Sequence, residues 1–104
     1  MPFLGTLQGN ESFVLDVTPD VQPTGATAVT IIYLNSSGNI RDIDTLTVLG
    51  SAGVVNRVPP KNTTRIYIEI DLPRDGLVEA RVQQGATIHV ADLAFDSRLV
   101  FDVV

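Results

Sequence analysis

Histidine chemistry in this chain has a single starting point, because His89 is the only imidazole in 104 residues and there is no cysteine. Any histidine-based triad or histidine-rich metal site must use His89 or fail, and thiolate zinc sites and disulfides are excluded. A hairpin turning at Gln83-Gln84-Gly85 sets His89 opposite Glu79, where it would act as a general base oriented by that carboxylate. No nucleophile falls beside it, so the plainer expectation is a surface ion pair.

Paired carboxylates are the second chemical possibility. Glu69, Asp71 and Glu79 would share one sheet face, and glycoside hydrolysis needs two acids about 5–10 Å apart. Arg65 and Arg81 interleave with them, which describes a salt-bridged wet surface rather than a desolvated acid. Asp42 and Asp44, two apart on another strand, offer two oxygens toward the six to eight that Ca²⁺ takes. The rest of such a shell is not visible, and neither a metal nor a cofactor is expected. Phosphate loops, nucleophile elbows and paired-histidine motifs are also absent from the sequence. The chain reads as non-catalytic.

What remains is contact chemistry. Tyr67 beside Glu69 and Arg81 is the best candidate patch, with Tyr33 beside Arg41 a second. An aromatic ring among polar groups on a flat sheet face stacks on a sugar or anchors a protein partner. The C-terminal run, Leu99 to Val104, is apolar on both faces. Such a strand is buried between two layers, or it packs on a neighbouring subunit through Leu99, Phe101 and Val103. With the apolar stretch Phe3-Leu4, it makes a self-associating structural or protein-interaction domain the first functional expectation. A carbohydrate-binding module, assisted by Ca²⁺, is the alternative.

The elements that must position these residues are strands. β-branched residues dominate, turn residues recur every eight to twelve positions, and no window repeats apolar residues at helical spacing between caps. The pattern predicts strands near 3–8, 11–18, 27–35, 40–49, 53–58, 63–72, 77–83, 86–95 and 98–104. The expected fold is all-β: one domain over 1–104, an antiparallel sandwich or jelly-roll-like domain of about 7–9 strands built from short hairpins.

Side-chain parity predicts faces and registers as well. Ile66, Ile68, Ile70 and Leu72 fall on one face, and Arg65, Tyr67, Glu69 and Asp71 on the other. Three x-x-Gly loops then suggest three-residue hairpins. Arg74-Asp75-Gly76 would set Pro73 against Leu77, Ile70 against Ala80, Ile68 against Val82 and Glu69 against Arg81. Gln83-Gln84-Gly85 would set Val82 against Ala86 and Ala80 against Ile88. Ser36-Ser37-Gly38 would set Asn35 against Asn39, Tyr33 against Arg41 and Ile31 against Ile43. A bulge near Ala91-Asp92 would carry the apolar parity over to Leu93 and Phe95. Pro19 to Pro23 and Pro59 to Asn62 read as loops.

Charge and composition set the remaining bounds. A net charge of −5 with no basic stripe disfavours nucleic acid and anionic lipid. No signal-peptide pattern and no apolar run long enough for a membrane helix is present, so membrane insertion is not expected. The lack of cysteine leans toward a reducing compartment or a bacterial or phage source.

Overall fold

The computed structural model describes residues 3–21, 25–72, 76–93 and 97–104. All nine expected strands are present: β1 (Phe3–Leu7), β2 (Phe13–Val21), β3 (Thr27–Leu34), β4 (Ile40–Val48), β5 (Gly53–Arg57), β6 (Arg65–Asp71), β7 (Leu77–Gln84), β8 (Thr87–Leu93) and β9 (Ser97–Val103). They form a β-sandwich, one sheet ordered β1-β9-β6-β3-β4 and the other β5-β2-β7-β8. Neighbouring strands run antiparallel except β1 and β9, the first and last strands, which pair in parallel with Phe3 beside Val100 and Leu7 beside Val103.

The two-residue rhythm fills the core. Phe13, Leu15 and Val17 from β2, Val78, Ala80 and Val82 from β7, Ile66, Ile68 and Ile70 from β6, and Leu99 and Phe101 from β9 all point between the sheets. Fully burying such a side chain contributes about 1.5–3 kcal/mol, which is why parity is enforced on every long strand. The C-terminal strand is therefore interior, between β1 and β6. Main-chain bonds hold its end: Val104 N–H donates to Leu7 O at 3.0 Å, and Gly9 N–H to Val104 O at 2.9 Å.

The structure departs from the expectations in four places, three of them hairpin pairings and one a strand end. β6 and β7 are not hydrogen-bonded neighbours; they lie in opposite sheets, so Ile70–Ala80, Ile68–Val82 and Glu69–Arg81 are not cross-strand pairs. Alternation tells which face a residue occupies but not which strand lies beside it, and a turn that closes a hairpin can equally cross between layers. Pro73, Arg74 and Asp75 of that turn lie outside the described residues.

The β7–β8 hairpin is real but turns on two residues, Gly85 and Ala86, with Gln84 opposite Thr87. Gly85 has φ of 59°, which suits the first central position of a type II′ turn. The shorter loop sets Val82 against His89 and Ala80 against Ala91. His89, Ala91 and Leu93 then share the inner face without any bulge, while Ile88 and Val90 point outward. Phe95 lies outside the described residues.

The β3–β4 hairpin closes as expected at Asn35, whose N–H bonds to Asn39 O at 3.0 Å. A bulge at Arg41 then shifts the ladder, so Tyr33 opposes Asp42 and Ile31 opposes Asp44. Finally, β2 runs on through Pro19 to Val21 rather than ending in a loop. β5 reaches only as far as Val17, so past that point β2 has a neighbour on one side alone, where proline is tolerated.

Candidate functional site

The outer face of the five-stranded sheet carries the residues that sequence singled out most strongly. A cross-strand row runs over it: Ile43 on β4, Ile32 on β3, Tyr67 on β6 and Val100 on β9. Tyr67 stands half-buried in this row, with the Arg98 guanidinium 4.9 Å from its ring centroid. Arg98 also pairs with Glu69, its direct cross-strand neighbour. On the other flank Arg65 bonds Asp102 at 3.3 Å. Tyr67 first and Asp102 second raise the pKa of Arg65, so the guanidinium is held in its charged form.

Beside the ring lies an open cleft of about 300 Å³, lined by Arg65, Tyr67 and Thr64 and by Leu34, Asn35, Ser36 and Gly38 of the β3–β4 turn. Asn35 Oδ1 accepts from the N–H groups of Ser37 and Asn39 at 3.0 and 2.9 Å, which fixes that wall. Gly38 has φ of 80°, a conformation that favours glycine.

The expected patch is only partly assembled. Glu69 joins Tyr67, but Arg81 sits on the outer face of the opposite sheet, where it reaches Glu79 of its own strand at 3.3 Å. Tyr33 and Arg41 do not form a second patch. Tyr33 is 0% exposed and belongs to the core, whereas Arg41 is exposed at the bulge. Leu99, Phe101 and Val103 are buried in this chain's own core, so they present no surface to a neighbour. The side chains of Phe3 and Leu4 lie outside the described residues.

His89 is not the wet-face partner of Glu79. It points inward against the edge of the Phe101 ring, centroids 5.3 Å apart, and its Cε1 abuts Gly5. Its Nε2 is buried without a hydrogen-bond partner. That placement puts the imidazole in the core rather than beside Glu79 on the wet face.

One constellation was not anticipated from sequence. Arg57 on β5 reaches across the gap between the sheets to both acids of β4, 2.7 Å from Asp42 and 2.9 and 3.0 Å from the two oxygens of Asp44. Beneath it lies the Tyr33 ring, 4.9 Å from the guanidinium, and the Tyr33 hydroxyl donates to Asp44 at 2.7 Å. Burial, then the bond to Asp44, push the Tyr33 phenol well above its ordinary pKa. Arg57, followed by the Ile43 N–H, holds Asp42 below the usual carboxylate value. The two aspartates weighed as Ca²⁺ ligands are thus the acceptors of an arginine clamp.

A second polar anchor is Gln84. Its side-chain amide bonds both the N–H and the C=O of Gln8, at 2.6 and 2.9 Å, and the C=O of Glu11 at 3.0 Å. It ties the β1–β2 connection to the β7–β8 turn as another strand would.

Chemically, Glu69, Glu79, Asp42, Asp44 and Asp102 each face a guanidinium. Among the described residues, no three His, Cys, Asp or Glu side chains gather to hold a metal. The arrangement leaves an aromatic cleft on one sheet and, among the described residues, an unpaired strand edge on the other. No protein-family model, no curated protein and no solved structure matches this chain.

Proposed function

We propose that this chain is a non-catalytic structural or protein-interaction β-domain that associates with its own kind. The observation that carries the reading is the condition of β8. It is a seven-residue strand at the edge of its sheet, free of bulges, prolines and lysines, with Ile88 47% and Val90 50% exposed on its outer face. An edge of this kind templates pairing with another strand. The apolar C-terminal run, which first suggested association, is spent on the chain's own core, so the surface in question is β8. A contact of one strand lies at the small end of protein interfaces, and the expected dissociation constant is roughly 10–500 μM. Sedimentation equilibrium across that range should show reversible dimers. A monomer throughout would remove the reading.

A second reading is kept for the Tyr67 cleft. Its aromatic wall, two arginine-linked carboxylates nearby and the polar Asn35-Ser36 rim suit a sugar ring, with no metal required. A glycan array answers it: binding lost on Tyr67→Ala supports a carbohydrate module, and silence with the unmodified chain counts against it.

A further inference from the structure

We infer that β8 pairs antiparallel with β8 of a second copy about a two-fold axis beside His89, joining two four-stranded sheets into one continuous sheet. This rests on the self-association proposed above and gives it a partner strand and a register.

Main-chain alternation supplies the first constraint. The tight turn makes Gln84 and Thr87 a hydrogen-bonded pair. From Thr87 every second residue, His89, Ala91 and Leu93, then bonds back to β7. The N–H and C=O groups of Ile88, Val90 and Asp92 are left pointing along the sheet toward the open side. Among the described residues no strand pairs there.

Side-chain chemistry chooses among the registers this allows. Those centred on Val90 or Ala91 set an aliphatic side chain, Ile88 or Val90, against the partner's Asp92. One centred on Ile88 sets Val90 against the partner's turn residue Ala86, leaving Ile88 as the sole large aliphatic pair. The one centred on His89 sets Ile88 against the partner's Val90 and Val90 against the partner's Ile88. It places four aliphatic side chains together on one face and slides Asp92 out to the partner's Ala86, so no like charges meet although each chain carries −5. Both partners contribute the same surface, as a two-fold interface requires.

The other edges lack this combination. β4 carries a bulge and two inward acids, β1 is a five-residue strand with an irregular register, and β5 is five residues ending in Arg57. Exposed aliphatics also occur on β4 (Ile40, Ile43) and β5 (Val54), but among the described edges β8 alone sets two of them on a regular seven-residue ladder.

Thiol cross-linking reads the register directly, because the chain has no cysteine of its own. Ile88→Cys mixed with Val90→Cys should oxidise to the mixed disulfide several-fold in excess of either symmetric one, since that pair lies directly opposite with Cβ atoms about 5.5 Å apart while the symmetric pairs are diagonal at about 7–8 Å. Val90→Cys linking to itself in excess would overturn the register. No cross-link at any of these positions, in a chain that still sediments as a dimer, would move the contact elsewhere and overturn the inference while self-association stands. A chain that is monomeric throughout would remove both. As a second arm, Val90→Lys keeps an exposed position exposed, so its melting temperature should stay near that of the unmodified chain while association weakens about ten-fold or more. Unchanged association in Val90→Lys would also overturn the inference.

Discussion

The β4–β5 side and the β8 edge face the same problem with opposite sequences. Each carries unpaired main-chain groups where a sheet ends. On the first side, β4 turns two carboxylates inward, bulges at Arg41 and accepts Arg57 from the facing sheet. Inward-pointing charge and a bulge are recognised defences of a free edge, because a docking strand would have to desolvate or displace them. On the other side, β8 keeps a regular ladder, an inward histidine and outward aliphatics. The difference teaches that the open edge is not a general looseness of the fold: where the chain closes an edge it does so with inward carboxylates and a bulge, and β8 has neither of these.

Removing the clamp should produce the largest change on the β4–β5 side. Arg57→Ala leaves Asp42 and Asp44 facing each other across a lost guanidinium and bares the Tyr33 ring. The expected cost is about 1–3 kcal/mol by urea unfolding, with dimerisation through β8 unaltered. The clamp also has an acid limb. Because Arg57 lowers the folded-state pKa of Asp42, its contribution is present above the unfolded value near 4 and is lost as pH falls below it. The urea midpoint should therefore drop below about pH 4, and less steeply in Arg57→Ala.

Tyr33→Phe is the finer probe, keeping the ring and deleting one hydroxyl. Loss of its bond to Asp44 should cost about 1 kcal/mol. The folded-state pKa of Tyr33 is raised, so its contribution is complete below the unfolded value near 10 and declines as pH rises beyond it. Thermal melts above about pH 10 should lose less stability in Tyr33→Phe than in the unmodified chain.

Much of the fold was legible in the residues, and the limits are instructive. Period-two alternation located all nine strands and assigned the inner faces of β6 and β7, because burying Ile68 rather than Tyr67 decides the face locally, whereas Tyr33 of β3, expected at the surface, is core. Partner choice was not legible. Arg74-Asp75-Gly76 suits a hairpin and equally a crossing between layers, and only the packing of distant strands decides. The face of β8 was misread for a physical reason: Ile88 and Val90 look like core beside a polar His89, yet the glycine at the first position of a two-residue turn sets the opposite parity. The clamp did leave a signal. Asp42 and Asp44 occupy the same parity as Leu46 and Val48 in an otherwise inward-facing series, which marks charges turned toward the interior of an edge strand. Of the candidate patch, Tyr67 and Glu69 share a face as the alternation requires, whereas Arg81 was joined to them through a pairing that the fold does not make.

Amide hydrogen exchange followed as a function of protein concentration tests the contrast between the two edges most directly. The amides of Ile88 and Val90 should exchange quickly in dilute solution and become protected as the concentration passes the association range, while the edge amides of β4 stay unchanged. Exchange at Ile88 and Val90 that ignores concentration, or protection that grows on β4 instead, would contradict the account.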